Sequence, residues 1–166
     1  AERYQTPVFG FSDLDLGMNK WAMRDFEYPS EPMDRGKVVL TKEQMDSIEN
    51  YGRYRDVDGD GIPYRTLPGS GLDPILYRGT GHDEDGTYSE KPDVYYKLMQ
   101  RLKMKIDGAR DKLPAPVVRE EEEQDVGIIF YGSMENTIEE IDDILEEISG
   151  KKVSTLRVRA LPLHSE

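Results

Sequence analysis

Residues 126 to 159 place the tightest constraint on the fold. Val126 to Tyr131 is an unbroken apolar run of strand length, and Gly132 and Ser133 turn the chain at its end. Ile138, Ile141, Leu145 and Ile148 then recur at spacings of three and four, which puts them on one face of a helix. Gly150 follows at the position where a left-handed C-cap favours glycine. Val153 to Arg159 returns to β-forming residues. Strand, helix and strand at this spacing predict a βαβ crossover, which is right-handed with parallel strands almost without exception. This stretch alone assigns the chain to the α/β class.

Upstream the signals are shorter. Thr6 to Ser12 is an apolar run bounded by turn formers and predicts a buried strand, whereas DLDLGMNKW after it has no clear period and predicts irregular structure. Lys37 to Leu40 predicts a short strand. Thr41 and Gln44 stand at capping-box spacing and Met45, Ile48 and Tyr51 continue at helical period, so a helix is expected over 41–51. Pro92 opens the longest helix, with Tyr95, Leu98, Leu102, Ile106, Ala109 and Leu113 on one face and Pro114 and Pro116 as its stop. The other face carries Lys97, Arg101, Lys103, Lys105, Arg110 and Lys112. Two readings of that face are open: a solvated surface suited to the helix C-terminus, or contact with an acidic partner or a phosphate group. Arg119 to Asp125, REEEEQD, reads as an acidic linker, which divides the chain into 1–118, 119–125 and 126–166.

Between Tyr54 and Ser89 lies a long glycine-rich segment with little periodicity, and a loop of that length in a compact domain usually serves a function or an interface. Within it, Asp56, Asp58, Asp60 and Gly61 match the first half of an EF-hand calcium loop. The second half fails. Position twelve is Leu67, which offers no oxygen, and Pro63 and Pro68 forbid the flanking helix. What remains is a tight turn with Asp side chains accepting from backbone N–H groups, or a divalent-ion site of another kind.

Other candidates are sparse. His82 lies beside Asp83, Glu84 and Asp85 in a glycine-rich loop, where three acids would favour its charged form, but acid–base or metal chemistry needs convergent partners and the only other histidine is His164. Asp34, Arg35 and Lys37 in DRGK would suit a carboxylate or phosphate clamp, or an internal salt bridge. The Gly132–Ser133 turn is either an anion site at a helix N-terminus or a plain strand-to-helix turn. No nucleophile elbow, zinc signature or phosphate-binding loop occurs, so no self-sufficient catalytic centre is visible.

Composition removes several classes. With 34 acidic against 22 basic residues the net charge is -12, a field that repels nucleic acid and anionic membrane surfaces. The chain has no cysteine, so it forms no disulfide and ligates no iron–sulfur cluster through thiolates. No apolar run reaches the length of a membrane span and no signal pattern opens the chain, so a cytoplasmic location is the expectation. Abrupt strand-like segments at both ends read as cuts inside a longer polypeptide.

Taken in order, SDLDLGMN, DRGKV, GRYRDVDGDGIPYRTLPG, YRGTGHDEDGTYSE and VGIIFYGS resemble the alpha subunit of 2-oxoacid:ferredoxin oxidoreductases, most closely the 2-oxoglutarate type. The resemblance spans essentially the whole chain. It implies the later part of a thiamine-enzyme pyrimidine-binding-type domain, through about residue 118, followed by the first βαβ unit of a transketolase-C-terminal-like domain. It further implies an enzyme that decarboxylates a 2-oxoacid oxidatively, transfers the acyl group to coenzyme A and passes electrons to ferredoxin. Thiamine diphosphate, Mg²⁺ and an iron–sulfur cluster would be held mainly by the beta subunit, with none bound by this chain alone. The family's Tyr-Pro-Ile-Thr-Pro segment is missing, since Tyr28-Pro29 is followed by Ser30 and Glu31, so no catalytic residue carries over. The candidate site residues are therefore His82 for chemistry, Arg35 and Lys37 for a cofactor, and Asp56, Asp58 and Asp60 for a metal, although no metal is expected. The resemblance also turns residues 54–89 into an expected subunit interface.

Overall fold

The computed structural model describes residues 1–72, 77–122 and 126–165. It is mixed α/β with small sheets. In chain order the elements are α1 (Leu14–Met18), β1 (Val38–Val39), α2 (Lys42–Asp46), β2 (Arg65–Thr66), α3 (Pro92–Ala109), β3 (Val117–Arg119), β4 (Gly127–Phe130), α4 (Glu135–Ser149) and β5 (Ser154–Arg157), with 3₁₀ turns at Arg110–Lys112 and Gly132–Met134. They gather into two compact units, one of Ala1–Val8 and Pro29–Ala109, the other of Phe9–Tyr28 and Arg110–Glu166.

In the first unit β1 and β2 pair in parallel, Val38 opposite Arg65 and Val39 opposite Thr66, with Val39 and Thr66 buried. The pairing fixes the residues just outside it. Lys37 immediately precedes β1 and accepts the Arg65 N–H on its carbonyl at 3.0 Å, which sets its side chain beside the segment that leads into β2. The expected capping box starts α2: Thr41 Oγ1 accepts the Gln44 N–H while Gln44 Oε1 accepts the Thr41 N–H. The helix itself stops at Asp46, earlier than its apolar period suggested.

The second unit contains the predicted crossover. β4 and β5 are parallel, Gly127 opposite Ser154 through Phe130 opposite Arg157, and α4 joins them and ends on Gly150 in the left-handed conformation at φ 74°. β3 adds an antiparallel edge, giving the order β3-β5-β4. Val117–Arg119, which straddles the residue-118 boundary expected from sequence, thus shares a sheet with residues 127–130. Arg119, expected to open the acidic linker, is the last residue of β3, and its Nη2 lies 2.8 Å from Asp142 Oδ2, a carboxylate buried in α4. Residues 123–125 of that linker lie outside the described residues.

Three local expectations need correction. Thr6–Ser12 forms no strand: Val8, Phe9 and Phe11 are 70%, 76% and 93% exposed, because among the described residues no strand pairs with the run and an apolar segment gains nothing from an unpaired ladder. The segment DLDLGMNKW is not wholly irregular, since α1 forms within it once Asp13 caps the Leu16 N–H at 2.9 Å. The third concerns α3. Tyr95 and Ile106 are 55% and 39% exposed, whereas Lys105 and Ala109 are buried and Leu98, Arg101 and Leu102 half-buried beside them. Positions 98, 101, 102, 105 and 109 are themselves three and four apart, so the buried stripe is the expected one turned toward the basic side.

Candidate functional site

The acidic loop is closed by a cation of the protein itself. Lys37 Nζ lies 2.6 Å from Asp58 Oδ2 and 2.7 Å from Asp60 Oδ1, and it donates to the Ile62 carbonyl at 2.9 Å. Its ammonium also sits 5.2 Å from the centre of the Tyr64 ring. Asp56 turns inward instead. Oδ1 accepts from Gly59 N–H at 3.0 Å and Asp60 N–H at 3.2 Å, and Oδ2 accepts from Gly61 N–H at 2.8 Å. This is the side-chain-capped turn, and among the described residues no group of three or more acidic or histidine side chains is placed to hold a metal ion.

Electrostatics follow the geometry. Burial alone would lower Lys37, but its hydrogen bonds and charge attraction to Asp58 and Asp60 outweigh that and hold the ammonium above its usual range. The hydrogen bond from Lys37 is in turn the main reason that Asp58 lies below the ordinary carboxylate value, with a second from Tyr64. The Tyr64 hydroxyl, donating to that carboxylate, is pushed up.

Gly61 then fastens the loop to α3. It adopts φ +79°, and a Cβ there would lie 2.6 Å from both the Arg101 carbonyl oxygen and the Lys105 nitrogen, so only glycine lets the two backbones approach this closely. Arg101 Nη1 donates to the Gly61 carbonyl at 3.0 Å.

Arg35 does not join Lys37 in a clamp. It is exposed and supplies its carbonyl to Arg65 Nη2 at 3.3 Å, while Asp34 pairs with Arg3 at 2.8 Å and caps the Gly36 N–H. His82 is only 7% exposed and packs against Tyr54, with ring centres 4.0 Å apart. Its acidic neighbours are engaged elsewhere: Asp83 Oδ1 accepts from the Asp85 and Thr87 N–H groups, and Glu84 and Asp85 pair with Arg55, each at 3.3 Å. Nδ1 faces the Thr80 carbonyl at 2.7 Å, so it carries the proton there, and Nε2 has no hydrogen-bond partner. The Gly132–Ser133 turn does receive an anion, supplied by the chain. Asp13 Oδ2 accepts the Ser133 N–H at 2.6 Å, and Asp13 is held below the usual carboxylate range first by the Leu16 N–H and then by Ser133.

Sequence reasoning passed over Arg53 and placed Arg101 and Lys105 on an outer face. All three are covered beside His82. The signal available was the 98-101-102-105-109 spacing, and the grouping of Arg53 with Tyr51 and Tyr54 ahead of the acidic turn.

The mixed α/β fold is similar to part of a solved 2-oxoacid:ferredoxin oxidoreductase. The solved structure in question is 2-oxoglutarate:ferredoxin oxidoreductase from Magnetococcus marinus with 2-oxoglutarate, coenzyme A and succinyl-CoA bound. The match has a TM-score of 0.58 and 26% identity, and it covers 70% of this chain but only 20% of that one. No protein-family profile matches the chain.

Proposed function

We propose that this chain is a portion of the alpha subunit of a 2-oxoacid:ferredoxin oxidoreductase acting on 2-oxoglutarate. In this reading it combines the later part of a pyrimidine-binding-type domain with the start of a transketolase-C-terminal-like domain, and it works with a beta subunit in the cytoplasm. The assembled enzyme decarboxylates the 2-oxoacid, forms the acyl-CoA and delivers two electrons to ferredoxin. The observation that carries the reading is the joint agreement of fold and sequence over 70% of the chain with an enzyme of that activity.

The residues present do not fit the cofactors such an enzyme requires. There is no thiolate for an iron–sulfur cluster. The carboxylates most suited to Mg²⁺ are committed to Lys37 and to backbone N–H groups, and the helix N-terminus most suited to a diphosphate is committed to Asp13. Thiamine diphosphate, Mg²⁺ and the cluster therefore fall to the partner subunit in this proposal, and no chemical step passes through a residue of this chain. Its part is to shape the surface that meets the partner, through residues 54–89. Half-exposed Tyr77 and Tyr88 support that role, as does a loop turn anchored on α3. Residues 73–76 of this stretch lie outside the described residues. Among the described residues no helix is long and apolar enough to cross a membrane.

The competing reading, a non-catalytic divalent-cation module built on Asp56, Asp58 and Asp60, is weighed down by the ammonium already between two of those carboxylates. Calorimetric titration with Ca²⁺ and Mg²⁺ separates the two: micromolar binding abolished by Asp56→Ala supports the module. For the enzyme reading, the full-length subunit and its partner are assayed on 2-oxoglutarate, pyruvate and branched 2-oxoacids by viologen reduction. Turnover fastest on 2-oxoglutarate is expected, and no turnover on any of them overturns the assignment. Asp58→Ala with Asp60→Ala should weaken co-purification with the beta subunit; unimpaired assembly sinks the interface role.

A further inference from the structure

Beside the loop anchor, the first unit holds a cavity of about 320 Å³ whose wall carries Arg53, Arg78, Arg101, Lys105 and His82 and no carboxylate. In a chain with 34 acidic and 22 basic residues, an acid-free wall of this kind is a departure from composition. Arg53 is 8% exposed, its guanidinium stacked 4.9 Å from the ring centres of both Tyr54 and Tyr77, and its Nε and Nη1 have no acceptor. Lys105 is 6% exposed and reaches only the Gln5 carbonyl, at 3.3 Å. Among the described residues neither forms an ion pair with an acid. Buried cations without counter-ions are expensive, and burial followed by repulsion from Arg101 and Arg53 holds Lys105 below its usual range.

His82 adds a directional element. Nδ1 faces the Thr80 carbonyl, which leaves the unpartnered Nε2 as the ring's free hydrogen-bonding atom, in the tautomer with the proton on Nδ1 an acceptor, and the ring packs against the same Tyr54 that carries Arg53. We propose that this cavity is a binding site for a small oxyanion that also bears a hydroxyl, such as hydrogen phosphate or a 2-hydroxycarboxylate. The oxyanion is held by Arg53 and Lys105, and the hydroxyl donates to His82 Nε2. Arg78 and Arg101, each already tied to a backbone carbonyl at Gly86 and Gly61, set the surrounding positive field. The site is separate from the family reading and stands whichever subunit holds the thiamine cofactor.

The test is calorimetric titration of the 166-residue chain at constant ionic strength in chloride, using inorganic phosphate, malate and succinate in turn. Saturable binding of phosphate or malate is expected, with succinate, which lacks the hydroxyl, at least tenfold weaker. Phosphate as the tighter ligand points to a phosphate source and malate to a carboxylate one. Arg53→Met should lose the binding, and Lys103→Ala, an exposed cation outside the cavity paired with Asp107, should retain it. Lys105→Met guards against misfolding. It should melt higher than the parent without ligand, because a buried charge and its repulsion are gone, and it should show no ligand-induced rise. Overturning results are the lack of saturable binding by all three anions, equal losses in Arg53→Met and Lys103→Ala, or a Lys105→Met protein that is less stable and still responds. Succinate binding as tightly as malate and phosphate would remove the hydroxyl contact assigned to His82.

Discussion

Placing a methyl group on Gly61 tests how the acidic loop is built. The backbone there has φ +79°, a region in which an L side chain costs about 1–2 kcal/mol. The added Cβ would also lie 2.6 Å from two backbone atoms of α3, where ordinary contact begins at 3.4 Å, so loop and helix must part by roughly 0.8 Å. Forced separations of this kind cost about 1–3 kcal/mol, and the Arg101 hydrogen bond to the Gly61 carbonyl contributes about 1 kcal/mol more when it is lost. Gly61→Ala should therefore destabilise the first unit by about 3–6 kcal/mol. Gly59→Ala is the control: φ is +76° and nothing lies within 4 Å of its Cβ, so only the conformational part applies, about 1–2 kcal/mol. Urea denaturation followed by far-UV circular dichroism gives the two values. Residue-resolved hydrogen exchange should show lost protection around Arg101 to Lys105 in Gly61→Ala alone. Equal destabilisation of the two variants, or unchanged protection in α3, would refute the close approach of loop and helix.

Three further outcomes follow from individual contacts. Arg119→Met leaves the 3% exposed Asp142 with the Val153 N–H at 3.2 Å and, as its nearest cation among the described residues, Lys152 at 3.9 Å, so about 2 kcal/mol should be lost from the second unit in denaturant titration, less than for a fully buried pair because Arg119 is partly solvated. Thr41→Ala removes one half of the capping box and should cost about 1 kcal/mol, with circular dichroism reporting the helix loss. The Lys37 loop should be stable across a broad pH window. Asp58, lowered in the folded state, contributes fully above its unfolded value near ~4, and that contribution is lost as pH falls through its folded value. Lys37, raised, contributes fully below its unfolded value near ~10.4, and that is lost as pH rises through its folded value. Melting temperature against pH should accordingly be flatter at both extremes in Lys37→Met; an unchanged acid limb would refute the Asp58 link.

The parts of the fold legible in the sequence are those whose cause is local. Apolar period and Gly150 specify the β4-α4-β5 crossover, Thr41 and Gln44 specify the start of α2, and Leu67 with Pro63 is enough to remove the EF-hand. The exposed Thr6–Ser12 run shows the limit, because a strand exists only if another strand pairs with it. Helix α1 shows the reverse: a cap at Asp13 sufficed where no apolar period was present.

The candidate site divides along the same line. Sequence determined that three carboxylates crowd a glycine turn, that Asp56 can cap it, and that the chain has no thiolate to offer a cluster. Only the tertiary structure decided that Lys37, brought alongside by the Val38–Arg65 register, occupies the loop, and that Arg53, Arg101 and Lys105 converge on an acid-free cavity. The physical reason is range. Caps and periods act within a few residues, whereas which charge meets which depends on how segments twenty to fifty positions apart are packed, and a net charge of -12 says nothing about where its positive minority is gathered.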